Sequence, residues 1–431
     1  MYLAFSIIGI TVTVVLFLLV LFEPGLDYHV EAPPHSLDSE EFLRLLGALS
    51  DAQVHRDSRV RVLTNGNVFY EAQLDAIRAA RKSINLEAYI FSKGQIGQSY
   101  IEALAERARA GVKVNLVIDA IGSFATWQRM FKPLTDAGGR VRWYQPVRWY
   151  TLKRFNNRTH RELLIVDGEI GFIGGAGIGD NWLTGESGEP AWRDTVVRVT
   201  GDLVVGLQTT FAENWLEAAD EILTGDEYIP SHCPNCADGD EGEGNKDEAR
   251  GIVVISSPSA GRSSRARVLF QTLLASATQT IHITSPYFLP DRSVRRELIK
   301  AVKRGVQVTI LAPGDHADHL MTRRASRRRY GQLLEGGAEI YEYQPAMIHV
   351  KSLIIDGVWS VVGSTNFDNR SFGINDEVNL AAQCPALARR MNEDFLRDLQ
   401  ASRQITLDEW RRRPLSERVM ETLGRIIERQ Q

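Results

Sequence analysis

At 431 residues the chain has room for two domains and a tail. Its hydrophobic fraction of 44% and charged fraction of 24% are ordinary for a globular protein, and three cysteines exclude a disulfide scaffold. A net charge of −4 excludes the global basic signature of a nucleic-acid-binding protein, although a local basic groove stays open.

Residues 2–22 carry no charged side chain and are dense in Ile, Val, Leu and Phe. As a helix this run spans about 31 Å, enough for a hydrocarbon core. A cleaved signal peptide is the competing reading. Against it, no Lys or Arg precedes the run, the run is long, and Glu23-Pro24-Gly25-Leu26 is no small-residue cleavage site. Residues 1–23 are expected to be an uncleaved single-pass membrane anchor, and residues 24–57 a polar linker. Orientation stays open, because neither flank has Lys or Arg until Arg44.

From Val60 the pattern alternates strand and helix: a strand at 60–63, an amphipathic helix at 69–82, a strand at 84–91, a helix at 98–109 and a strand at 112–119. That alternation predicts an α/β layered domain. The same text recurs later. Residues 281–288 match 84–91, 304–311 match 110–117, and Gly336-Gly337 with Tyr343-Gln344-Pro345 match Gly138-Gly139 with Tyr144-Gln145-Pro146. Three matches in one order predict two similar halves, over residues 58–224 and 251–400. Between them, residues 225–250 hold Cys233 and Cys236 and an acidic run. This reads as an exposed loop, with half a zinc site, a redox pair or a disulfide as the alternatives. Residues 401–431 alternate charge with apolar residues at helical spacing, which predicts an amphipathic helical tail packed on the domain.

The chemistry concentrates at residues 349–371. Val350, Leu353, Ile354 and Ile355 read as a buried strand, so His349 and Lys351 point to one side. A second apolar run, 358–362, enters Gly363-Ser364-Thr365-Asn366. A neighbouring strand would bring Ser364 and Asn366 beside His349 and Lys351. An imidazole, an ammonium, a hydroxyl and an amide on one surface suit a phosphodiester: one base or nucleophile, and donors aimed at charged oxygens. The first half carries a partner, His160-Arg161-Glu162 through Asp167-Gly168, followed by Gly174-Gly175-Ala176-Gly177.

With H-x-K-x4-D and G-S-x-N in the second half and a related pair in the first, the chain resembles the phospholipase D superfamily. Its wording is most similar to bacterial cardiolipin synthases. The resemblance covers nearly all of 58–400. It implies two phospholipase D-like halves, each a mixed sheet flanked by helices, related by a pseudo-two-fold with the active site between them. It also implies a mechanism in which one histidine attacks phosphorus and the other protonates the leaving alcohol. His160 is implied as the nucleophile and His349 as the acid/base, oriented by Asp194 and Glu377 respectively. Lys351, Ser364 and Asn366 would bind the phosphate. Asp167 and Asp356 go with the catalytic set or serve only the turn after the strand. No cofactor and no metal are implied.

The first motif departs from the family pattern at Glu162, Gly175 and Gly177, which replace lysine, serine and asparagine. Glu162 is expected to point inward beside His160 and repel phosphate, with Arg161 facing the other way. Gly175 can contribute only its backbone N–H. Arg158, Lys153 and Arg154 are candidate substitutes for the missing lysine, with Arg158 placed in the substrate site.

Cations interleave with aromatics at Arg142-Trp143-Tyr144, Arg148-Trp149-Tyr150 and Lys153-Arg154-Phe155, and Arg323 to Arg329 form a basic helix face. Both features suit an anionic phospholipid such as phosphatidylglycerol, or single-stranded nucleic acid. The basic face also suits a solvated helix with no ligand. The anchor turns the choice toward lipid and against nucleic acid. The expectation is a cardiolipin-synthase-like phosphatidyltransferase in a bacterial cell membrane, with no obligatory protein partner evident. A membrane-tethered phospholipase D or nucleic-acid phosphodiesterase, and a lipid-binding protein with a decayed first half-site, are the alternatives.

Overall fold

A computed structural model of the chain describes residues 30–126, 128–146, 156–185, 188–230, 248–258 and 264–414, together with Gly9 and Thr11. The rest of the expected anchor, Cys233 and Cys236, the segment holding Lys153 and Arg154, and the tail beyond 414 lie outside the described residues. Among the described residues no helix is long and apolar enough to cross a membrane.

The first half contains β1 (Val54–Thr64), β2 (Ser83–Ala88), β3 (Lys113–Asp119), β4 (Arg140–Tyr144), β5 (Leu163–Val166), β6 (Ile170–Gly174) and β7 (Thr195–Gly201). The second contains β8 (Glu248–Ser256), β9 (Thr280–Thr284), β10 (Gln307–Pro313), β11 (Glu339–Tyr343), β12 (Ser352–Ile355), β13 (Trp359–Gly363), β14 (Glu377–Gln383) and the edge strand β15 (Ser402–Ile405). All belong to one sheet in the order β15-β11-β10-β9-β12-β13-β14-β8-β1-β7-β6-β5-β2-β3-β4. Outward from the antiparallel β1–β8 pair, the two halves run in the same order, 7-6-5-2-3-4 and 14-13-12-9-10-11. The pseudo-two-fold passes between β1 and β8.

Strands β2, β3 and β4 are parallel, and β2 is buried at every position. That burial explains their near-continuous apolar text, because helices cover both faces of a parallel sheet. One core cluster joins the halves, bringing Val60, Ile165 and Val199 together with Leu311, Ile354, Leu380 and Phe395. This shared core fixes one half against the other and so fixes the geometry between them.

The expected linker contains a core helix, and the described part of the expected tail packs as a helix on the second half. Within the expected linker, residues Glu40–Leu49 form a helix, and Phe42, Leu43 and Leu46 are buried in the core of the second half. The Trp359 indole also donates to the Leu37 carbonyl at 2.6 Å. Of the expected tail, Leu407–Arg412 is a helix whose Trp410 indole donates to the Arg327 carbonyl at 2.8 Å.

The hairpins β5–β6 and β12–β13 turn on Asp167-Gly168 and Asp356-Gly357, all four at positive φ (55° and 67°, 51° and 65°). Such Asp-Gly pairs suit tight hairpin turns. The Asp167 carboxylate accepts the backbone N–H groups of Arg81, Lys82 and Ser83. Asp356 likewise accepts those of Thr278, Gln279 and Thr280. Each carboxylate therefore pins its hairpin to the start of β2 or β9. His160 and His349 lie at the opposite ends of β5 and β12, so placing Asp167 and Asp356 in the catalytic set is corrected: they are architectural.

Candidate active site

His160 and His349 each sit just ahead of a short buried strand, and each is bonded to the other half through its backbone. The His160 N–H donates to the Asp376 carbonyl at 2.9 Å, and the Asp376 N–H to the Arg158 carbonyl at 2.9 Å. Symmetrically, the His349 N–H donates to the Arg193 carbonyl and the Arg193 N–H to the Met347 carbonyl, both at 2.8 Å. Glu377 follows Asp376, and Asp194 follows Arg193. Each bridge thus delivers a carboxylate to the histidine of the opposite half. His160 Nδ1 lies 3.1 Å from Glu377 Oε2 and 3.0 Å from the Ser364 carbonyl. His349 Nδ1 lies 2.9 Å from Asp194 Oδ2, which also accepts the Trp182 indole N–H at 3.0 Å. This corrects the expected pairing of Asp194 with His160 and Glu377 with His349: the pairs are crossed.

Both histidines line one cavity of about 310 Å³, with Tyr89, Glu162, Gly175, Trp192, Asn366 and Arg370 among its walls. His160 packs edge-on against Tyr89, and His349 packs edge-on against Trp182 and at a tilt against Trp192. A larger cavity of about 590 Å³ lies along Ile101, Met130 and Pro133, and none of the candidate residues lines it.

Lys351 is buried with His349. Its Nζ is 3.0 Å from both ring nitrogens and 2.8 Å from the His349 carbonyl. An atom equally near both nitrogens lies over the ring, not along a lone pair. Burial holds the ammonium down to about 8, while Asp194, Glu377 and Asp318 work to keep it charged. Burial first, and the Lys351 charge second, hold the His349 imidazole below its ordinary value.

The three departures in the first motif form one packed unit. Glu162 points into the site, but its Oε1 accepts the N–H groups of Tyr89 at 3.1 Å and Ile90 at 3.3 Å. Burial pushes its carboxyl well above the usual range, against the opposing pull of those two N–H groups and of Lys351. That shift weakens the repulsion of phosphate expected from an inward-pointing carboxylate. A Cβ at Gly177 would lie 2.8 Å from the Ile90 carbonyl oxygen and 3.2 Å from Glu162 Oε1. A Cβ at Gly175 would lie 2.9 Å from both Cδ and Nζ of Lys351. Asparagine and serine are missing here because Glu162 with Ile90, and Lys351 from the other half, fill the space.

The remaining candidates divide. Asn366 lines the cavity, and its buried Oδ1 has no hydrogen-bond partner among the described residues. The Ser364 hydroxyl donates to Glu377 and accepts the Val378 N–H at 3.1 Å, so it holds the carboxylate behind His160. Arg158 is buried against Asp119, and its Nη2 donates to the Gln145 carbonyl at 2.8 Å. It does not line the cavity, which corrects its placement in the substrate site. Arg161 faces away as expected, donating to the Thr210 carbonyl and to Glu213. On the basic helix, Arg323 and Arg327 turn inward to Glu342.

Sequence reasoning missed Arg370, which lines the cavity while donating to Asn156 Oδ1 at 2.7 Å. Its signal lay in Asn366-Phe367-Asp368-Asn369-Arg370, just after the recognised turn. It also missed Tyr287, Asp318 and His319, which come from loops after β9 and β10 and carry no motif.

The chain matches the family model for the cardiolipin synthase, PLD-like domain over residues 73–189 and 270–399. It is 32% identical over 407 residues to a cardiolipin synthase of Geobacillus sp. (strain WCH70), covering 94% of this chain and 79% of that protein. It is 32% identical over 394 residues to the major cardiolipin synthase ClsA of Bacillus subtilis (strain 168), covering 91% and 79%. Among solved structures, phosphatidylserine synthase from Haemophilus influenzae Rd KW20 superimposes with a TM-score of 0.68 at 14% identity, covering 90% of this chain and 98% of that one. At that identity the likeness is one of fold.

Proposed function

The chain belongs to the family of the cardiolipin synthase, PLD-like domain, and on that premise we propose that it is a phosphatidyltransferase of the phospholipase D type. It moves a phosphatidyl group from one phospholipid to a hydroxyl of another, such as phosphatidylglycerol, forming cardiolipin. The observation that carries this reading is the crossed pair: two imidazoles in one cavity, each engaged at Nδ1 by a carboxylate of the opposite half. Engagement at Nδ1 frees Nε2 of each ring for chemistry at phosphorus.

The reaction runs in two balanced steps. In the first, one histidine attacks phosphorus, and a P–N bond forms as the P–O bond to the leaving alcohol breaks. The second histidine gives that alcohol its proton. In the second step the acceptor hydroxyl loses its proton to the second histidine, and its oxygen displaces the first from phosphorus. Family resemblance names His160 as nucleophile, but the surroundings favour the reverse. A nucleophile must be neutral, and burial with Lys351 over the ring favours neutral His349. His160 is 13% exposed at the cavity, where the leaving and incoming alcohols can reach it. Asn366 and Arg370, which line the cavity, supply donors toward the phosphate's charged oxygens, and the Lys351 ammonium packed on His349 adds its positive field.

The cardiolipin synthase relatives are bacterial, which supports a bacterial membrane location, with residues 1–23 as the anchor. Expression in bacterial cells lacking cardiolipin, followed by mass spectrometry of their lipids, tests the function. Cardiolipin appears with the wild type and vanishes with His349→Ala. Cleavage of labelled oligonucleotides without a change in lipids would sink this reading in favour of a nuclease.

A further inference from the structure

Three carboxylates line the cavity: Glu162 accepts the Tyr89 and Ile90 N–H groups and Asp368 that of Ser371, which leaves Asp318. Asp318 lines it beside Tyr287, His319 and Thr322, all from the second half. Its carboxylate is 17% exposed and belongs to the loop between β10 and the helix Leu320–Glu335. Oδ2 accepts the Tyr287 hydroxyl at 2.5 Å, while Oδ1 accepts no hydrogen bond from the described residues. The loop is tied across the site, because His316 Nδ1 lies 2.7 Å from Glu189 Oε2 of the first half.

An anionic carboxylate facing a phosphodiester repels it, so Asp318 is badly placed to bind the phosphate. It is well placed to accept a hydroxyl hydrogen, since bonds from neutral donors to charged acceptors are strong and directional. Asn366 and Arg370 offer N–H donors in the same cavity, whereas Tyr287, Asp318, His319 and Thr322 offer a carboxylate, two hydroxyls and an imidazole. The first set matches charged phosphate oxygens and the second matches an alcohol rich in hydroxyls. In a two-step transfer the leaving alcohol and the incoming acceptor take the same place, so one subsite serves both.

We propose that Asp318, with Tyr287, His319 and Thr322, forms a polyol subsite that binds the non-reacting hydroxyl of a glycerol-type headgroup. It thereby favours glycerol-bearing acceptors over simple alcohols. This rests on the phosphatidyltransferase reading and names the acceptor determinant within it. Asp318 takes no proton from the reacting hydroxyl; that proton passes to the acid/base histidine as the acceptor oxygen bonds phosphorus.

The test is competition between deuterated glycerol and 1-propanol as acceptors, with the full chain in detergent micelles and phosphatidylglycerol as donor. Products are read by mass spectrometry. The product ratio cancels the rate of the first step, which a structural or electrostatic role of Asp318 would change. Wild type should favour glycerol, and both Asp318→Ala and Asp318→Asn should lower the glycerol-to-propanol ratio about tenfold, the loss of one hydrogen bond to a charged group. The asparagine variant preserves size and decides the matter if the alanine variant does not fold. An unchanged ratio, even with a slower overall rate, overturns the proposal, because Asp318 would then act only through its field on His349 and Lys351. If the wild type transfers to neither alcohol and does not hydrolyse the donor, the phosphatidyltransferase reading itself fails.

Discussion

His349 Nδ1 lies 2.9 Å from Oδ2 of Asp194, a residue of the other half. The mirrored contact joins His160 to Glu377. Neither half therefore holds a complete histidine–carboxylate pair, and both pairs exist only when the two halves are packed together.

The crossed pairs set a test by phenotype. A histidine with its carboxylate replaced by an amide is held in the wrong tautomer, which costs roughly 100- to 10,000-fold in rate. Asp194→Asn should reproduce the defect of His349→Ala, and Glu377→Gln that of His160→Ala. With a phosphodiester bearing a p-nitrophenyl leaving group, the acid is dispensable for the first step. Rapid-quench assays should then trap a phosphoenzyme with His160→Ala and Glu377→Gln but not with His349→Ala. Phosphoenzyme on His349→Ala would reverse the proposed roles.

Lys351 should make activity and stability respond in opposite ways to pH. Burial holds its folded value to about 8 against 10.5 when free. Between those values the unfolded chain binds the extra proton, so stability from this group rises with pH; its penalty is complete below about pH 8. Activity should fall as pH climbs through about 8 and the ammonium is lost. The unfolding free energy of wild type should gain on Lys351→Met by about 1.4 kcal/mol per pH unit in that window. At neutral pH, Lys351→Ala should lower kcat/KM by about a hundredfold or more, a larger loss than in a relative with two complete motifs. Turnover that survives nearly intact refutes the phosphate role of this half.

Restoring the family pattern in the first motif should harm this protein. Glu162→Gln keeps the acceptor for Tyr89 and Ile90 and matches the uncharged form that burial favours. Its kcat/KM should stay within roughly threefold of wild type. Glu162→Lys brings a second buried ammonium toward Lys351 and should cost at least about tenfold. Gly177→Asn would crowd the Ile90 backbone and should cost about 1–3 kcal/mol, measured by denaturant unfolding. A more active Glu162→Lys variant contradicts the packed-unit account.

Asp356→Ala separates architecture from catalysis. It strands the N–H groups of Thr278, Gln279 and Thr280. Urea unfolding should show a loss of about 1–3 kcal/mol, with kcat/KM of the folded fraction nearly unchanged. A catalytic loss without a stability loss would return Asp356 to the active site.

The chain's text alone determined the two α/β halves and their repeated order, and it singled out His160, His349, Lys351 and Asn366. Those are local facts: apolar periodicity specifies strands and helices, and a motif keeps its spacing wherever it lies. It also located Glu162 on the inward side and Arg161 on the outward side by strand alternation. Only the tertiary structure decided that the carboxylates cross, that Glu162 caps the Tyr89–Ile90 backbone, and that Gly175 yields its place to Lys351. It also removed Asp167, Asp356 and Arg158 from the site and brought in Arg370 and Asp318. These relations join residues far apart in the chain. Ionisation and free space at such contacts depend on burial and on what the opposite half contributes, and one motif's spacing records neither.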